Sequence, residues 1–217
     1  MSDFGAFVLE HLPPPPARIL EVGCGPDGGL VGLLAERGYD VLGVDPRAPE
    51  GDRFLRTTFQ EASNRLLLGE RDAVVAGRVL HHVHPLGEGL DLLASLAPLL
   101  VADEFAWDRI DAPAQEWYEG QHRMLRASGG EPYGPADLDE WRVRHPDLHA
   151  HDTLLDALRA RYDERVLDWV PYFHRWLGGP SSEALERTLI DAGAIPAIGY
   201  RWAGASTSTT RSSAASR

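Results

Sequence analysis

The chain has 217 residues, is 43% hydrophobic and 25% charged, and carries a formal net charge of −12. That length suits one α/β domain with elaborations, and the composition is that of a globular protein, which excludes a wholly disordered or membrane-embedded chain. The acidic balance, with 21 Lys and Arg residues scattered rather than clustered, argues against nucleic acid as a partner.

A single cysteine permits no intramolecular disulfide and points to a reducing, cytoplasmic setting. Met1 to Leu12 carries Asp3 and Glu10 and lacks a basic start before a long apolar run, so no signal peptide is expected. Nowhere do about 18 apolar residues follow one another, and no membrane-spanning helix is expected.

In chain order, Phe4, Phe7, Val8 and His11 form a short amphipathic start that can dock on the body or on a partner. Pro13 to Pro16 predicts a stiff extended connector. The core begins at Arg18. Arg18 to Val22 reads as a strand, and after a glycine-rich turn Leu30 to Arg37 reads as a helix that Gly38 stops. Further strands are predicted over Val41 to Val44, Phe54 to Phe59, Asp72 to Ala76 and Leu99 to Phe105, with a helix over Leu86 to Ala97 before the last of these.

From about Trp107 to Arg161 the pattern turns helical, an inserted cap carrying Trp117, Tyr118, Met124, Trp141 and Leu154. A strand over Arg165 to Phe173, a helix over Ser182 to Ala192 capped by Ser181 or Ser182, and a strand over Ile195 to Trp202 complete the series. Seven strands alternating with helices imply an α/β, Rossmann-like, doubly wound and mostly parallel sheet. The domain is expected to span 18–204, after a 1–17 segment. Residues 205–217, rich in Ser, Thr and Ala, are expected to form a disordered tail.

The most informative stretch is Ile19 to Gly28, a strand running into a glycine turn that opens a helix. Gly23, Gly25 and Gly28 match GxGxxG, which also describes dinucleotide-binding enzymes. Glu21 separates the two classes. A pyrophosphate would be repelled by a carboxylate just before the glycines, whereas a cationic ligand would be attracted. Asp45 ends the second strand at the distance where a ribose diol can donate to it. Each acid also has a plainer role open to it: Glu21 can pair with a basic residue, and Asp45 can initiate a turn before Pro46. Gly28 and Gly29 read as turn and helix-start residues, and Cys24 as a buried filler.

The segment Arg18 to Asp45 closely resembles motif I and the following acidic position of class I S-adenosylmethionine-dependent methyltransferases. Asp72 to Val83, with its Leu-His-His run at Leu80 to His82, is similar to that family's fourth-strand segment. The resemblance covers roughly Arg18 to Phe105, and Arg165 to Trp202 is similar to the family's sheet-closing end. It implies S-adenosylmethionine as cofactor, with Glu21, Gly23 and Gly25 at the methionine end, Asp45 at the ribose, and Gln60 or Glu61 beside the adenine. Here the chain departs from the family pattern, reading Phe59-Gln-Glu-Ala-Ser-Asn64 where an Asp often stands.

Methyl transfer needs an aligned acceptor, and a base only where a proton must leave. His81 and His82 follow the fourth strand at the edge where open α/β sheets bind ligands and are the candidate bases; either can instead cap a helix or pack. Asp103, Glu104 and Asp108 are read as acids past the fifth strand, able to bind an amine, orient a base or stand solvated. His145, His149 and His151 lack a convincing ligand constellation, and no metal is expected. Trp107, Trp117, Trp141, Tyr172 and Trp176 suit an apolar or aromatic acceptor pocket beside the sheet. The expected activity is O- or N-methylation of a small molecule. An NAD(P)-dependent oxidoreductase and a non-catalytic cofactor-binding protein of the same fold remain as alternatives.

Overall fold

A computed structural model describes residues 3–207. The expected doubly wound α/β sheet is present. Its strands are β1 (Arg18–Val22), β2 (Asp40–Val44), β3 (Phe54–Leu55), β4 (Ala73–Gly77), β5 (Leu99–Phe105), β6 (Tyr162–Val170) and β7 (Gly199–Ser206). They form one seven-stranded sheet in the order β3-β2-β1-β4-β5-β7-β6. The β1–β2, β1–β4, β2–β3 and β4–β5 pairings are parallel, with Ile19 opposite both Val41 and Ala73. The chain order reverses at β1, with β2 on one side and β4 on the other, and the open crevice of such a sheet lies at that switch point.

The helices are α1 (Asp3–His11), α2 (Val31–Glu36), α3 (Phe59–Asn64), α4 (Leu86–Leu96), α5 (Ala112–Ala127), α6 (Leu138–Arg144), α7 (His151–Arg159), α8 (His174–Leu177) and α9 (Pro180–Asp191). Two compact units are formed. One comprises the described residues up to Glu104, Asp152–Leu167 and those from Arg201 onward; the other comprises Phe105–His151 and Asp168–Tyr200. Among the described residues no helix is long and apolar enough to cross a membrane.

In the first unit, Ile19, Val41, Val75 and Val101 are buried in one cluster with Val31 and Leu34 of α2. Successive side chains on a strand point to opposite faces, so these alternate positions share one face of the sheet. Phe4, Phe7 and Val8 of α1 belong to the same cluster. The amphipathic start therefore docks on the body of its own chain. Burying three such side chains contributes on the order of several kcal/mol in area terms.

The second unit is cored by aromatic rings. Phe105 stacks on Tyr172 at 4.2 Å and 10°, Tyr118 stacks on Phe173 at 4.6 Å and 20°, and Trp176 meets Phe105, Tyr118 and Tyr172 edge-on. Such pairings satisfy the ring quadrupoles. Of the aromatic residues expected beside an acceptor pocket, Tyr172 and Trp176 are packed here against other rings. Glu186, fully buried, holds the start of α8 by accepting from the backbone N–H groups of Tyr172, Phe173 and His174 at 2.7, 2.9 and 2.8 Å.

Four boundaries depart from expectation. The third strand covers only Phe54–Leu55, because Thr58 caps a helix there: its Oγ1 accepts from the N–H of Glu61 at 3.2 Å, so Phe59 begins α3. The sixth strand runs Tyr162–Val170 rather than Arg165 to Phe173, since Phe173 turns into α8. Ser181 and Ser182 lie inside the first turn of α9, which starts with Pro180 and is preceded by Gly179. The last strand is shifted to Gly199–Ser206, where the Ser206 N–H donates to the carbonyl of Pro98 at 2.8 Å. Ala205 and Ser206 are thus part of the sheet and not tail, and the N–H of Thr207 donates to the carbonyl of Arg161 at 3.0 Å; the rest of the expected tail, 208–217, lies outside the described residues.

Candidate functional site

Parallel β2, β1 and β4 are neighbours in register, so their carboxyl ends stand side by side. Each then delivers its next residues to one crevice. β1 delivers the glycine turn from Gly23, β2 delivers Asp45, and β4 delivers Arg78, Val79 and the 3-10 turn Leu80–His82. Two cavities open there, of about 380 and about 420 Å³. Gly23, Asp45, Val79 and His82 line both. The first is the more apolar, walled by Val22, Val44, Phe59 and Val83, with Gln60 and Thr58 on it. The second is polar, with Cys24, Gly25, Arg47 and Arg78 in its wall.

Glu21 is 3% exposed and lies behind the turn rather than in either cavity wall. The N–H of Leu30, at the mouth of α2, stands 2.9 Å from both its carboxylate oxygens. Glu21 therefore caps the helix that the glycine turn opens and is not a surface ion pair. The carboxylate occupies the space where a side chain on Gly29 would have to stand; Gly29 has φ of +56° and no Cβ, so the turn closes over the acid. Gly25 has φ of +65° with nothing within 4 Å of the place a Cβ would take. The room left by its missing side chain is cavity, not packing.

Burial raises the Glu21 carboxyl from 4.5 to about 7, opposed in part by the N–H groups of Leu30 and Val31. The sign of the consequence follows. A carboxyl that holds its proton more tightly when folded contributes stability in full below about pH 4.5, and that contribution is lost as pH rises through about 7. Without cofactor, a Glu21→Gln variant is expected to lose less thermal stability than wild type between about pH 5 and 8. Equal slopes for the two proteins would contradict the assignment. Cys24 shares this environment: burial first, then the Glu21 and Asp45 carboxylates, push its thiol up to about 12. It stays protonated and unreactive.

Asp45 is 9% exposed, and its Oδ1 accepts from the N–H of Arg47 at 2.7 Å. It makes the turn before Ala48 and faces both cavities at once. Gln60 lies in the first cavity's wall. Glu61 points away, exposed, its Oε2 accepting from the Thr57 hydroxyl, which lowers its carboxyl below the usual value.

The two histidines part in the same way. His82 is exposed and lines both cavities. His81 is 5% exposed and its Nδ1 lies 2.5 Å from Oε2 of Glu104. The His81 and His82 rings lie 4.2 Å apart. Asp103 and Glu104, read from sequence as acids past the fifth strand, are inside β5 and buried. Glu104 also accepts from the N–H groups of Val79 and Leu80 at 3.0 and 2.7 Å, and Asp103 Oδ1 stands 3.7 Å from Nε of Arg201. Both were unrecognisable as buried because acids are seldom buried without partners, and their partners are distant in sequence.

In the second unit, Asp108 Oδ2 meets Nδ1 of His151 at 2.6 Å, His145 Nδ1 bonds the carbonyl of Trp141 at 2.8 Å, and the His149 carbonyl accepts from Nε1 of Trp107. The three histidines of that stretch thus have separate partners. Sequence reasoning also missed Val79, Arg47 and Arg78. Their only signal is position: each lies within three residues of the end of a central parallel strand.

Residues 1–141 match the family model of the methyltransferase domain. The chain belongs to this methyltransferase family. With the sheet order above it is a class I, S-adenosylmethionine-dependent methyltransferase, and the glycine turn is read accordingly rather than as a dinucleotide turn. Solved structures agree in fold. An S-adenosylmethionine-dependent methyltransferase from Mesorhizobium loti is 15% identical, with 89% of this chain and 93% of that one covered at a TM-score of 0.54. A cyclopropane-fatty-acyl-phospholipid synthase-like protein from Lactobacillus casei is 15% identical, covering 93% and 89% at 0.51. The mycolic acid cyclopropane synthase CmaA1, complexed with SAH and CTAB, is 11% identical, covering 93% and 82% at 0.54. No curated protein matches the methyltransferase sequence.

Proposed function

We propose that this methyltransferase moves a methyl group from S-adenosylmethionine to an oxygen or nitrogen of a small molecule, with the cofactor in the paired cavities at the β1–β2–β4 edge. The observation that carries the reading is the convergence of Gly23, Asp45, Val79 and His82 on both cavities. The chemistry of the walls fits the cofactor part by part. Val22, Val44, Phe59 and Val83 offer apolar surface for an adenine, with Gln60 at hand for its polar edge. Asp45 offers a carboxylate to the ribose diol, and the Gly23–Gly25 turn leaves open space beside polar groups for the methionine portion.

When bound, S-adenosylmethionine supplies a methyl group already activated on a sulfonium. Glu21 acts as a positioning residue, because it fixes the mouth of α2 and with it the turn. His82, not His81, is the base of this reading. Its imidazole sits on the cavity wall, where a neutral ring can take the proton that an oxygen or nitrogen acceptor gives up. His81 is committed to Glu104 and steadies the turn that carries His82.

A small acceptor is favoured by the net charge of −12, which repels polyanions. The test is transfer of methyl label from the cofactor to fractionated cell extract. Label is expected in the small-molecule fraction, and a His82→Ala variant is expected to lower kcat by about 10²-fold with little change in the cofactor KM. Label found only in protein or RNA would overturn the small-acceptor reading; an unchanged kcat would remove His82 as base.

A further inference from the structure

Among the described residues, five acidic side chains are buried: Glu21, Asp45, Asp103, Glu104 and Glu186. Three of them stand beside a basic side chain, Asp103 by Arg201 at 3.7 Å, Glu104 by His81, and Glu186 by His174 at 3.4 Å. Asp45 forms part of both cavity walls and faces whatever fills them. Glu21 has neither a basic partner nor a place in a wall. Its carboxylate is met only by main-chain N–H groups at the mouth of α2, and its neighbours across the sheet are Gly43 on β2 and Val75 on β4. Among the described residues no arginine or histidine pairs with it.

The place of Glu21 relative to the polar cavity is the second observation. Gly29 lines that cavity, and a Cβ on Gly29 would stand where the Glu21 carboxylate now is. The Cα of Cys24, in the same wall, is 3.1 Å from that Cβ position. The carboxyl therefore lies directly behind the wall, out of water but within the field of a charge placed in the cavity. From α2 only the N–H groups of Leu30 and Val31 face it. From the glycine turn comes the neutral Cys24 thiol, from the end of β2 comes Asp45, and Asp27, Arg47, Arg78 and His82 complete the charged and titratable groups of the wall.

A buried carboxylate without a cation is costly, and the group escapes the cost by holding a proton. Burial accordingly pushes the Glu21 carboxyl up to about 7, against the pull of the α2 N–H groups. A cation in the cavity removes the reason to hold that proton.

We propose that Glu21 is a proton-linked counter-charge to the cofactor: the protein binds S-adenosylmethionine, a sulfonium, with release of the Glu21 proton, and binds S-adenosylhomocysteine, whose sulfur is uncharged, with much less release. The O–H bond of the carboxyl breaks, the proton passes to buffer, and a carboxylate stays behind the wall. A ligand that weakens a group's hold on its proton binds more tightly as pH rises. Affinity for S-adenosylmethionine is therefore expected to rise about tenfold between about pH 6 and 8, and that for S-adenosylhomocysteine about threefold or less. After methyl transfer the sulfur is neutral, Glu21 takes a proton back, and the product competes less well with the substrate at higher pH. The inference rests on the reading of the paired cavities as the cofactor site.

The experiment is calorimetric titration of wild type, Glu21→Gln and His82→Asn with S-adenosylmethionine and with S-adenosylhomocysteine, in buffers of different ionisation enthalpy, which counts the protons released. At about pH 7, wild type and His82→Asn are expected to release about 0.3–0.5 proton with S-adenosylmethionine and less than half as much with S-adenosylhomocysteine. Glu21→Gln, which carries the neutral form permanently, loses most of this release. At about pH 6 it binds S-adenosylhomocysteine as wild type does, which also shows that it is folded. Infrared difference spectra of wild type keep the inference testable if Glu21→Gln does not fold: S-adenosylmethionine is expected to remove a protonated-carboxyl C=O band, which no imidazole possesses, and an unchanged band contradicts the inference. Proton release that is absent, equal for the two ligands, or retained in Glu21→Gln overturns the inference and leaves the cofactor reading standing. Wild type that binds neither ligand overturns both.

Discussion

Replacing Glu104 with alanine is expected to destabilise the fold by about 3–5 kcal/mol, the largest effect of any single change at the site. The carboxylate is fully buried and accepts from the backbone N–H groups of Val79 and Leu80 while its other oxygen meets Nδ1 of His81. Removing it leaves those groups facing one another in a space closed to water, each short of a partner it had. Glu104→Gln retains an oxygen of the same shape and is expected to cost clearly less. Because Val79 and His82 line both cavities, the surviving folded fraction of Glu104→Ala should also bind cofactor product more weakly. Urea unfolding monitored by tryptophan fluorescence reads the first effect directly. A midpoint for Glu104→Ala within error of wild type would show that the Val79–His82 turn is held by something else.

The second large effect is expected at Asp45, where alanine should weaken S-adenosylhomocysteine binding by about 30- to 150-fold, equivalent to about 2–3 kcal/mol. Hydrogen bonds to a charged acceptor are worth more than neutral ones, and a ribose diol has two donors to give. One part of the loss has a different origin, because Asp45 Oδ1 also accepts from the N–H of Arg47. Asp45→Asn separates the two. Its amide oxygen can keep the turn, but its NH₂ group cannot accept from a hydroxyl, so a fall in affinity with unchanged stability isolates the ligand contribution.

The fold was largely legible because β1, β2, β4 and β5 are buried runs of Val, Ile, Leu and Ala, which only a covered parallel sheet requires. Legibility failed where backbone geometry overrides composition. Thr57 and Thr58 follow two strand residues and have high strand propensity, yet Thr58 caps a helix. Ile195 and Ile198 look like strand interior, but they belong to the second unit's core, and the strand begins at Gly199.

The site divides along the same line. Gly23, Gly25, Asp45 and His82 stand just past strand ends, where open α/β sheets bind ligands, and the resemblance to the family singled out the first three together with Gln60, which lies in α3. What each acid touches could not be read. Glu21, Glu104 and Glu186 are all buried and all satisfied by backbone N–H groups, at the mouth of α2, the Val79–Leu80 turn and the start of α8. A carboxylate used in this way leaves no pairwise signature, since its partner is the main chain and any residue can supply it. The separation of His81 from His82 was hidden for a related reason: it depends on Glu104, 23 positions from His81.

The most direct test of the central claim is isothermal titration of the full chain with S-adenosylhomocysteine, run beside Asp45→Ala and with NAD⁺ as the control ligand. The account predicts saturable one-site binding of S-adenosylhomocysteine by wild type, the loss described above in Asp45→Ala, and no heat from NAD⁺. Binding of NAD⁺ in place of S-adenosylhomocysteine, or S-adenosylhomocysteine affinity unaffected by Asp45→Ala, would contradict the assignment of the β1–β2–β4 cavities as the cofactor site.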